Sequence, residues 1–489
     1  MKKNSSLDET MSAPGTSEQS NAHTASGFFA QRITRRSLLK TSIVTLGVMG
    51  GGSAFAASRP SSPGSMTSTA TFQLAAATTP KASGPPVITK PTSIRFWTVL
   101  DPKDTGPRSV AQGQMIEAFK KKQPNIDIVI EIAPWQTVDQ QLLQATAAGK
   151  GPDVVRIYSP TLPIQVAGKS IIPLDSFFEY WTKEQREDFL FPQNDTVFDG
   201  KKMAFYGDIR TYLLWYRADM LDAKNLKLPR SLDELAEVAR ELTTDNVVGY
   251  AVGLSRASNA TTLMEWFIPS LWGLGGELTK PDGTAAFNGE AGLRLLQWLQ
   301  DLVYKYKVMP VGATTWTADT VFDMTKAGML AMSNQGTSRV GAARAAKGIG
   351  NNLKTAPHPS GKANKPNPAM AAGQTFTMSK DAKDKEAAWL FIEHMISPEM
   401  GVINAKVAGE MSTRKSSEKD PWFQSEKAAD IRQWMAYVKE TGRAIKQDKI
   451  VALSDYIATA AQEVVGMRVA PQKALDDAAK KWNQEIGRG

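Results

Sequence analysis

Cysteine is absent from this 489-residue sequence, which excludes disulfides, thiol nucleophiles and thiolate metal sites. Histidine is scarce: His23, His358 and His394 are the only three, and none stands at the spacing of a zinc-binding pair. A histidine-dependent triad or a histidine-rich metal centre is therefore not expected, no cofactor is assigned, and only an all-oxygen ion site stays open. No G-x-S-x-G is present, nor a nucleotide-phosphate loop, nor a G-x-G-x-x-G ahead of a suitable helix; Gly348-Ile349-Gly350 lacks the third glycine. The net charge of +9, from 58 Lys+Arg against 49 Asp+Glu, is concentrated at the front of the chain. Residues 1–92 hold nine basic and three acidic side chains, leaving only +3 for the rest. That surplus is too small to imply a nucleic-acid partner.

The same front segment carries an address. Thr34-Arg35-Arg36-Ser37-Leu38-Leu39-Lys40 resembles a twin-arginine export motif, with Leu38 where Phe is common. A weakly apolar stretch follows, from Ile43 to Ala57, ending in Ala54-Phe55-Ala56, an A-x-A cleavage pattern. At about 15 residues, and weakened by Gly50-Gly51-Gly52, it falls short of the roughly 18–20 needed to span hydrocarbon. Residues 1–57 therefore read as a cleaved signal, with Arg35, Arg36, Ala54 and Ala56 as its marks. With no cysteine after it, lipid anchoring is excluded, and the expected location is the periplasm. Residues 58–92 turn to Ser, Thr, Ala and Pro, with Pro60, Pro63, Pro80, Pro85, Pro86 and Pro91. Such a stretch buries too little apolar surface to offset ordering entropy and reads as a disordered spacer.

From Ser93 the chain alternates strand and helix. Residues 93–99 read as a strand, 110–122 as a helix stopped at Gln123-Pro124-Asn125, and 126–132 as an alternating strand with Ile126, Ile128, Ile130 and Ile132 on one face. A helix over 138–148 and an apolar strand over 153–158 complete β-α-β-α-β, for which a parallel sheet is the economical solution. Farther on, 202–209 and 211–216 read as extended segments, interrupted by Gly207-Asp208. Ser231-Leu232-Asp233-Glu234 reads as a capping box opening a helix. Residues 247–254 and 327–333 read as strands, the second ending before Asn334-Gln335-Gly336, and 290–306, 383–396 and 470–486 as amphipathic helices, the first with Leu293, Leu296 and Val303 inward.

Ligands of open parallel sheets bind beyond the carboxyl ends of the strands. The loops leaving the first three strands hold Asp101, Asp104, Trp135, Gln136 and Ser159, with Trp97 just ahead of the first. An aromatic face beside amide, hydroxyl and carboxylate groups suits a sugar or another polar metabolite.

The order of segments extends this reading. IRFWTV (94–99), MIEAFKKKQPNIDIVIEIAPW (115–135), LLQATAAGKGPDVV (142–155), IIPLDSF (171–177) and the run 198–221 come first. LPRSLDELAEVARELT (228–243), WGLGGELTKPDGTAAFN (272–288), FDMTKAGMLAMSNQG (322–336) and the run 379–401 follow. In this order they resemble the extracellular solute-binding proteins of ATP-driven sugar importers, the maltose-binding-protein-like group, over about residues 93–489. The resemblance implies an α/β, two-lobed periplasmic-binding-protein fold of type II, with hinge strands and a ligand cleft between the lobes. It assigns 93–207 and 375–425 to one lobe and 208–374 and 431–489 to the other, with crossings near Tyr206–Asp208, Ala372–Gln374 and Pro421–Arg432. It places Arg210 where relatives hold a charged sugar contact, with Asp208 beside it as a ligand group or a salt-bridge partner. Trp135, Ser159, Asn334, Gln335, Gly336, Gln374, Met411 and Arg414 fall on cleft-lining segments. Where maltodextrin binders place stacking tryptophans in the second lobe, this chain has Thr337 and Asp455, which favours a smaller or more polar ligand.

The function expected is capture of a small sugar or polyol by a monomer and its delivery to the transmembrane subunits of an ABC permease, with no catalytic residues. Two alternatives stand beside it. The same scaffold could take a non-sugar: acidic groups facing one cavity would favour a polyamine, clustered Arg and Ser a phosphorylated polyol. A secreted carbohydrate-active enzyme would need a carboxylate pair, for which Asp101, Asp104 and Asp208 are the candidates.

Overall fold

The computed structural model describes residues 84–361 and 364–488. The export-signal residues Arg35, Arg36, Ala54 and Ala56, and the spacer up to residue 83, lie outside the described residues. The last part of the expected spacer is tied to the body: Ile88 packs on the core, and its carbonyl accepts from Asn125 Nδ2 at 2.9 Å.

The β-α-β-α-β start is present. β1 (Thr92–Thr98) and β2 (Ile126–Ile132) pair in parallel, Thr92 opposite Ile126 and Thr98 opposite Ile132, with helix Pro107–Lys122 as the crossover. β3 (Val154–Tyr158) follows helix Val138–Ala147 and pairs in parallel with the other edge of β1. A small hairpin, β4 (Val197–Phe198) and β5 (Lys201–Lys202), precedes β6 (Phe205–Tyr206). A second sheet then forms from β7 (Tyr212–Arg217), β8 (Val248–Ala251), β9 (Leu330–Gly336) and β10 (Leu353–Ala356), before β11 (Gln374–Met378) returns to the first. The strand orders are β2-β1-β3-β11-β6 and β10-β7-β9-β8. The chain thus passes between sheets at 206–212 and again at 356–374. This is a two-lobed α/β architecture, as the sequence led us to expect.

Each sheet has its own core. Ile94 and Phe96 of β1, Met115, Ile116 and Phe119 of the first helix, and Trp389 and Phe391 of helix Lys385–Met395 pack together on the first. Leu214, Tyr250 and Met332 of the second sheet meet Leu232, Leu235 and Ala239 of helix Leu232–Leu242, and Trp298 and Leu299 of helix Glu290–Tyr304. The crossing needs glycine at 373, where an added Cβ would lie 2.0 Å from the Asp208 carbonyl oxygen. No helix among the described residues is long and apolar enough to cross a membrane.

Four local expectations change. The alternation of β2 holds at Ile126 and Ile128, but Ile132 is 47% exposed. β2 is an edge strand, and Glu131 on its other face is held by Arg95 and Trp97. β9 does not stop before Asn334-Gln335-Gly336 but runs through it, because those residues pair with Leu214, Leu213 and Tyr212 of β7. Ser231 Oγ caps its helix by accepting the Glu234 N–H (3.2 Å), yet the Glu234 carboxylate turns back to the Arg230 N–H (2.9 Å), so only half of the capping box forms. In helix Glu290–Tyr304, Leu293 is only partly buried, and Leu295, Trp298 and Leu299 share the inward face with Leu296 and Val303.

Candidate functional site

The carboxyl ends of β1, β2 and β3 open into one cavity of about 370 Å³. Val99 and Leu100 come from the loop after β1, Pro134, Trp135 and Gln136 from the loop after β2, and Tyr158 is the last residue of β3. Gln374, opposite Tyr158 in the β3–β11 register, completes this wall. The facing wall comes from the second sheet and the crossing. Arg210 and Tyr212 lead into β7, Gln335 and Gly336 end β9, and Ser338 and Arg339 follow it. Gly336 lies opposite Tyr212, and a Cβ there would sit 3.2 Å from the tyrosine ring, so the glycine makes room for that ring. A small apolar recess continues from the cavity, lined by Met264, Ile268, Ile450 and Val451.

Beneath the cavity lies a buried charged cluster. Asp208 is completely buried and accepts from Arg156 (2.6 Å), Arg210 (2.7 Å) and the Gln374 backbone N–H (3.2 Å). Burial alone would raise its carboxyl, but Arg210 and Arg156 overcome that and hold it well below the usual carboxylate range. Burial likewise disfavours the Arg210 charge, and Asp208 and Glu410 override it, keeping the guanidinium protonated. Glu410, also buried, lies 2.7 Å from Arg108 Nε and 3.8 Å from Arg210 Nη2 through one carboxylate oxygen. Five buried polar atoms of this lining have no hydrogen-bond partner: Arg108 Nε, which meets Glu410 only as an ion pair, Arg108 Nη2, Arg210 Nε, Gln335 Nε2 and Gln374 Oε1. Stranded groups of this kind cost stability in a finished core and are expected where a ligand supplies the partner.

Glu265 stands on the opposite side. It projects from helix Thr261–Gly273, whose Thr261, Met264, Glu265 and Ile268 form one face toward the cavity and recess. Pro269, inside that helix, lacks the N–H that would bond the Glu265 carbonyl four residues back. The Asn334 side chain replaces it, with Nδ2 donating to that carbonyl at 3.3 Å. The Glu265 carboxyl accepts from the Tyr158 hydroxyl (3.3 Å), and Tyr158 and Tyr212 share a 2.7 Å hydrogen bond. Burial pushes the Glu265 carboxyl up to about 7, against the pull of the Tyr212 hydroxyl and of Arg339 and Arg210.

Of the residues singled out from the sequence, Trp135, Gln136, Arg210, Gln335, Gly336 and Gln374 come together on this cavity. The others are placed elsewhere. Trp97 donates its indole N–H to Glu131 (2.6 Å), away from the lining. Asp101 is exposed and accepts the Lys103 N–H in a turn (2.8 Å). Ser159 is buried behind Tyr158, its N–H bonded to the Gly373 carbonyl. Asp208 and Asn334 act one layer back, holding Arg210 and the Glu265 backbone. Met411 is core, fully buried beside Ile209. Arg414 is neither in the cleft nor a solvated loop charge. It donates to the carbonyls of Ile396 (3.1 Å) and Gln185 (2.7 Å), and its guanidinium lies 4.1 Å from the Phe189 ring centre. Thr337 is buried, and Asp455 is paired with Arg256 at 2.6 Å.

Arg108, Tyr158, Tyr212, Glu265, Ser338 and Arg339 were not singled out. Tyr158 ends β3 and adjoins the chosen Ser159, whereas Ser338 lies in the short turn that follows β9. Arg108 and Glu265 sit on helices with no local motif. Both remaining histidines are core groups. His358 hydrogen-bonds with Tyr250 (3.0 Å) and burial pushes its ring down to about 4; His394 bonds the Met115 carbonyl (2.9 Å). No metal-holding group of three or more His, Asp or Glu side chains occurs among the described residues.

Residues 106–402 match the sequence profile of the bacterial extracellular solute-binding protein family. The chain belongs to that family. A Brucella abortus protein named as a binding protein is 23% identical over 381 residues, covering 75% of this chain and 87% of its own length. The fold is that of a maltose-bound MalE3 from T. maritima, with a TM-score of 0.71 at 21% identity, covering 80% of this chain and 99% of that one. It is also similar to an ABC-transporter solute-binding protein of Agrobacterium radiobacter solved with ribitol, with a TM-score of 0.68 at 20% identity, covering 81% of this chain and 99% of that one. In this solute-binding protein the cavity lies between the two sheets, beyond the carboxyl ends of the parallel strands.

Proposed function

We propose that this protein is the periplasmic substrate-binding component of an ABC importer. It captures a small sugar or polyol between its lobes as a monomer and delivers it to the permease. The observation that carries this reading is the cavity itself, which joins three aromatic side chains, Trp135, Tyr158 and Tyr212, to five buried polar atoms without hydrogen-bond partners. Aromatic faces cover the C–H patches of a sugar ring, and the stranded donors and acceptor match its hydroxyls. The ligand residues in this reading are Trp135, Gln136, Arg210, Gln335, Gly336 and Gln374, joined by Arg108, Tyr158, Tyr212 and Glu265. Solved structures of the same fold hold maltose, tagatose and ribitol, ligands of the proposed class. Lobe closure about the crossings at 206–212 and 356–374 would bring both walls onto one ligand, with residues 1–57 as a cleaved export signal.

The rival readings fare less well. Asp101 and Asp104 are engaged in exposed turns and Asp208 is locked between arginines, so none of these three is placed to serve in a hydrolytic carboxylate pair. A polyamine would meet three arginines on the cavity wall. The test is thermal unfolding of the chain from residue 58 against monosaccharides, disaccharides, polyols and polyamines. A ligand at 100 times its Kd stabilises by about 2.7 kcal/mol. A saturable shift from a small sugar or polyol, with the compound recovered unchanged, is the expected result. Consumption of a carbohydrate, or a shift confined to polyamines, would overturn the reading.

A further inference from the structure

The charge of the cluster under the cavity does not balance. Arg108, Arg156 and Arg210 stand against two carboxylates, Asp208 and Glu410, all in one linked set of ion pairs. The Arg156 and Arg210 side chains are 6% and 13% exposed and that of Arg108 is 26% exposed, so solvent reaches the surplus positive charge only in part, from the Arg108 side. A buried cation without a counterion is strongly disfavoured unless something binds it. The surplus is also directed. Arg108 Nη2 and Arg210 Nε are buried N–H donors with no partner, both guanidiniums border the cavity, and both flank the same oxygen of Glu410. Gln335 Nε2 adds a third donor without a partner, and Arg339 and Ser338 line the same cavity.

Resting on the carbohydrate reading above, we infer that the ligand is an acidic sugar or polyol whose oxyanion, carboxylate or phosphate, is held by Arg108 and Arg210. A neutral sugar could accept from these donors but would leave the positive charge uncompensated; an oxyanion satisfies both, through charge-assisted bonds that are the stronger kind. The other acids on the cavity and its recess fit this. Glu265 bonds Tyr158 and is driven toward its neutral form by burial, as is Asp139, which is held by Thr161 and Gln165. Each therefore opposes an anion less than a free carboxylate would. The oxyanion would sit at the arginine end, with the sugar ring against Trp135 and Tyr158.

Calorimetric titration of the exported chain tests this with matched pairs: D-glucuronate and D-galacturonate against glucose and galactose, gluconate and sorbitol 6-phosphate against sorbitol. The inference expects at least one acid to bind about 100-fold more tightly than its neutral partner, the scale of a charge-assisted hydrogen bond or two. Preference for uronates or gluconate assigns the carboxylate, and preference for sorbitol 6-phosphate the phosphate. Neutral sugars binding as tightly as their acids would overturn the inference and keep the carbohydrate reading. If no acid binds, the inference falls, and if no neutral sugar or polyol binds either, the carbohydrate reading falls with it. Because Arg108→Gln alone takes from the buried Glu410 its nearer guanidinium, leaving Asn404 and the more distant Arg210, the second arm is the double variant Arg108→Gln with Glu410→Gln. Its affinity for the acid should drop by about 10-fold or more; an unchanged acid affinity in a folded variant overturns the assignment.

Discussion

At the scale of single residues, the cleft is set by which polar groups are matched and which are left over. Asp208 is matched, held by two guanidiniums and a backbone N–H, and its work is to fix Arg210 rather than to meet a ligand. Glu265 is the opposite case. Burial raises its carboxyl to about 7, whereas the unfolded chain would titrate it near its ordinary value of 4.5. Between those values the folded state binds the extra proton, so stability falls as pH rises from about 4.5 to 7 and is flat beyond. The full span is about 3 kcal/mol at 1.36 kcal/mol per unit. Glu265→Gln keeps an acceptor for Tyr158 and removes the titration. The variant should therefore gain on the wild type between pH 5 and pH 8, read as the difference in urea unfolding midpoints. Equal pH profiles for the two proteins would show that Glu265 is already ionised and solvated at neutral pH. His358, pushed down from 6.5 to about 4, acts in the reverse sense over about pH 4 to 6.5, within much of the same window, and comparing variant with wild type cancels it.

At the scale of elements, what could be read depended on whether a signal was local. The β-α-β-α-β start shows as periodicity: Ile94 and Phe96 alternate inward, and Met115, Ile116 and Phe119 make one helix face. The loops beyond β1 to β3 followed from that topology, which is why Trp135 and Gln136 were in reach. Arg414 and Met411 could not be placed, because only tertiary contacts decide whether a loop arginine faces a cleft or lies on Phe189. Helix Thr261–Gly273 shows why Glu265 was missed. Its apolar run reads as core, and its one break, Pro269, is repaired by a side chain 65 positions away in β9. That repair makes a prediction. Asn334→Ala should cost about 1–2 kcal/mol by leaving the Glu265 carbonyl without a donor. In a Pro269→Ala background, where residue 269 regains its N–H, the same change should cost distinctly less. Equal losses in the two backgrounds, measured by denaturant unfolding, would mean Asn334 acts through some other contact.

At the scale of the whole molecule, two sheets share one cavity, and both contribute unpartnered polar atoms to it. Gln374 Oε1 belongs to the first sheet, Gln335 Nε2 to the second, and the arginines to the helix after β1 and the crossing before β7. A ligand that completes groups on both sides binds better when the sides approach, and only such a difference in affinity between states can shift the equilibrium toward closure. The absence of cysteine makes the motion measurable without background labelling. Lys121 is exposed on helix Pro107–Lys122 over the first sheet, and Glu237 is exposed on helix Leu232–Leu242 over the second. Lys121→Cys with Glu237→Cys, carrying a donor and an acceptor dye, should report a saturable change in energy transfer as ligand is added, with a midpoint equal to the calorimetric Kd. Removing the Arg210 contact with Arg210→Gln should move both midpoints together. Binding heat without any change in transfer would mean that the two sheets already hold their final separation, and the polar atoms would then be preset for the ligand rather than brought to it.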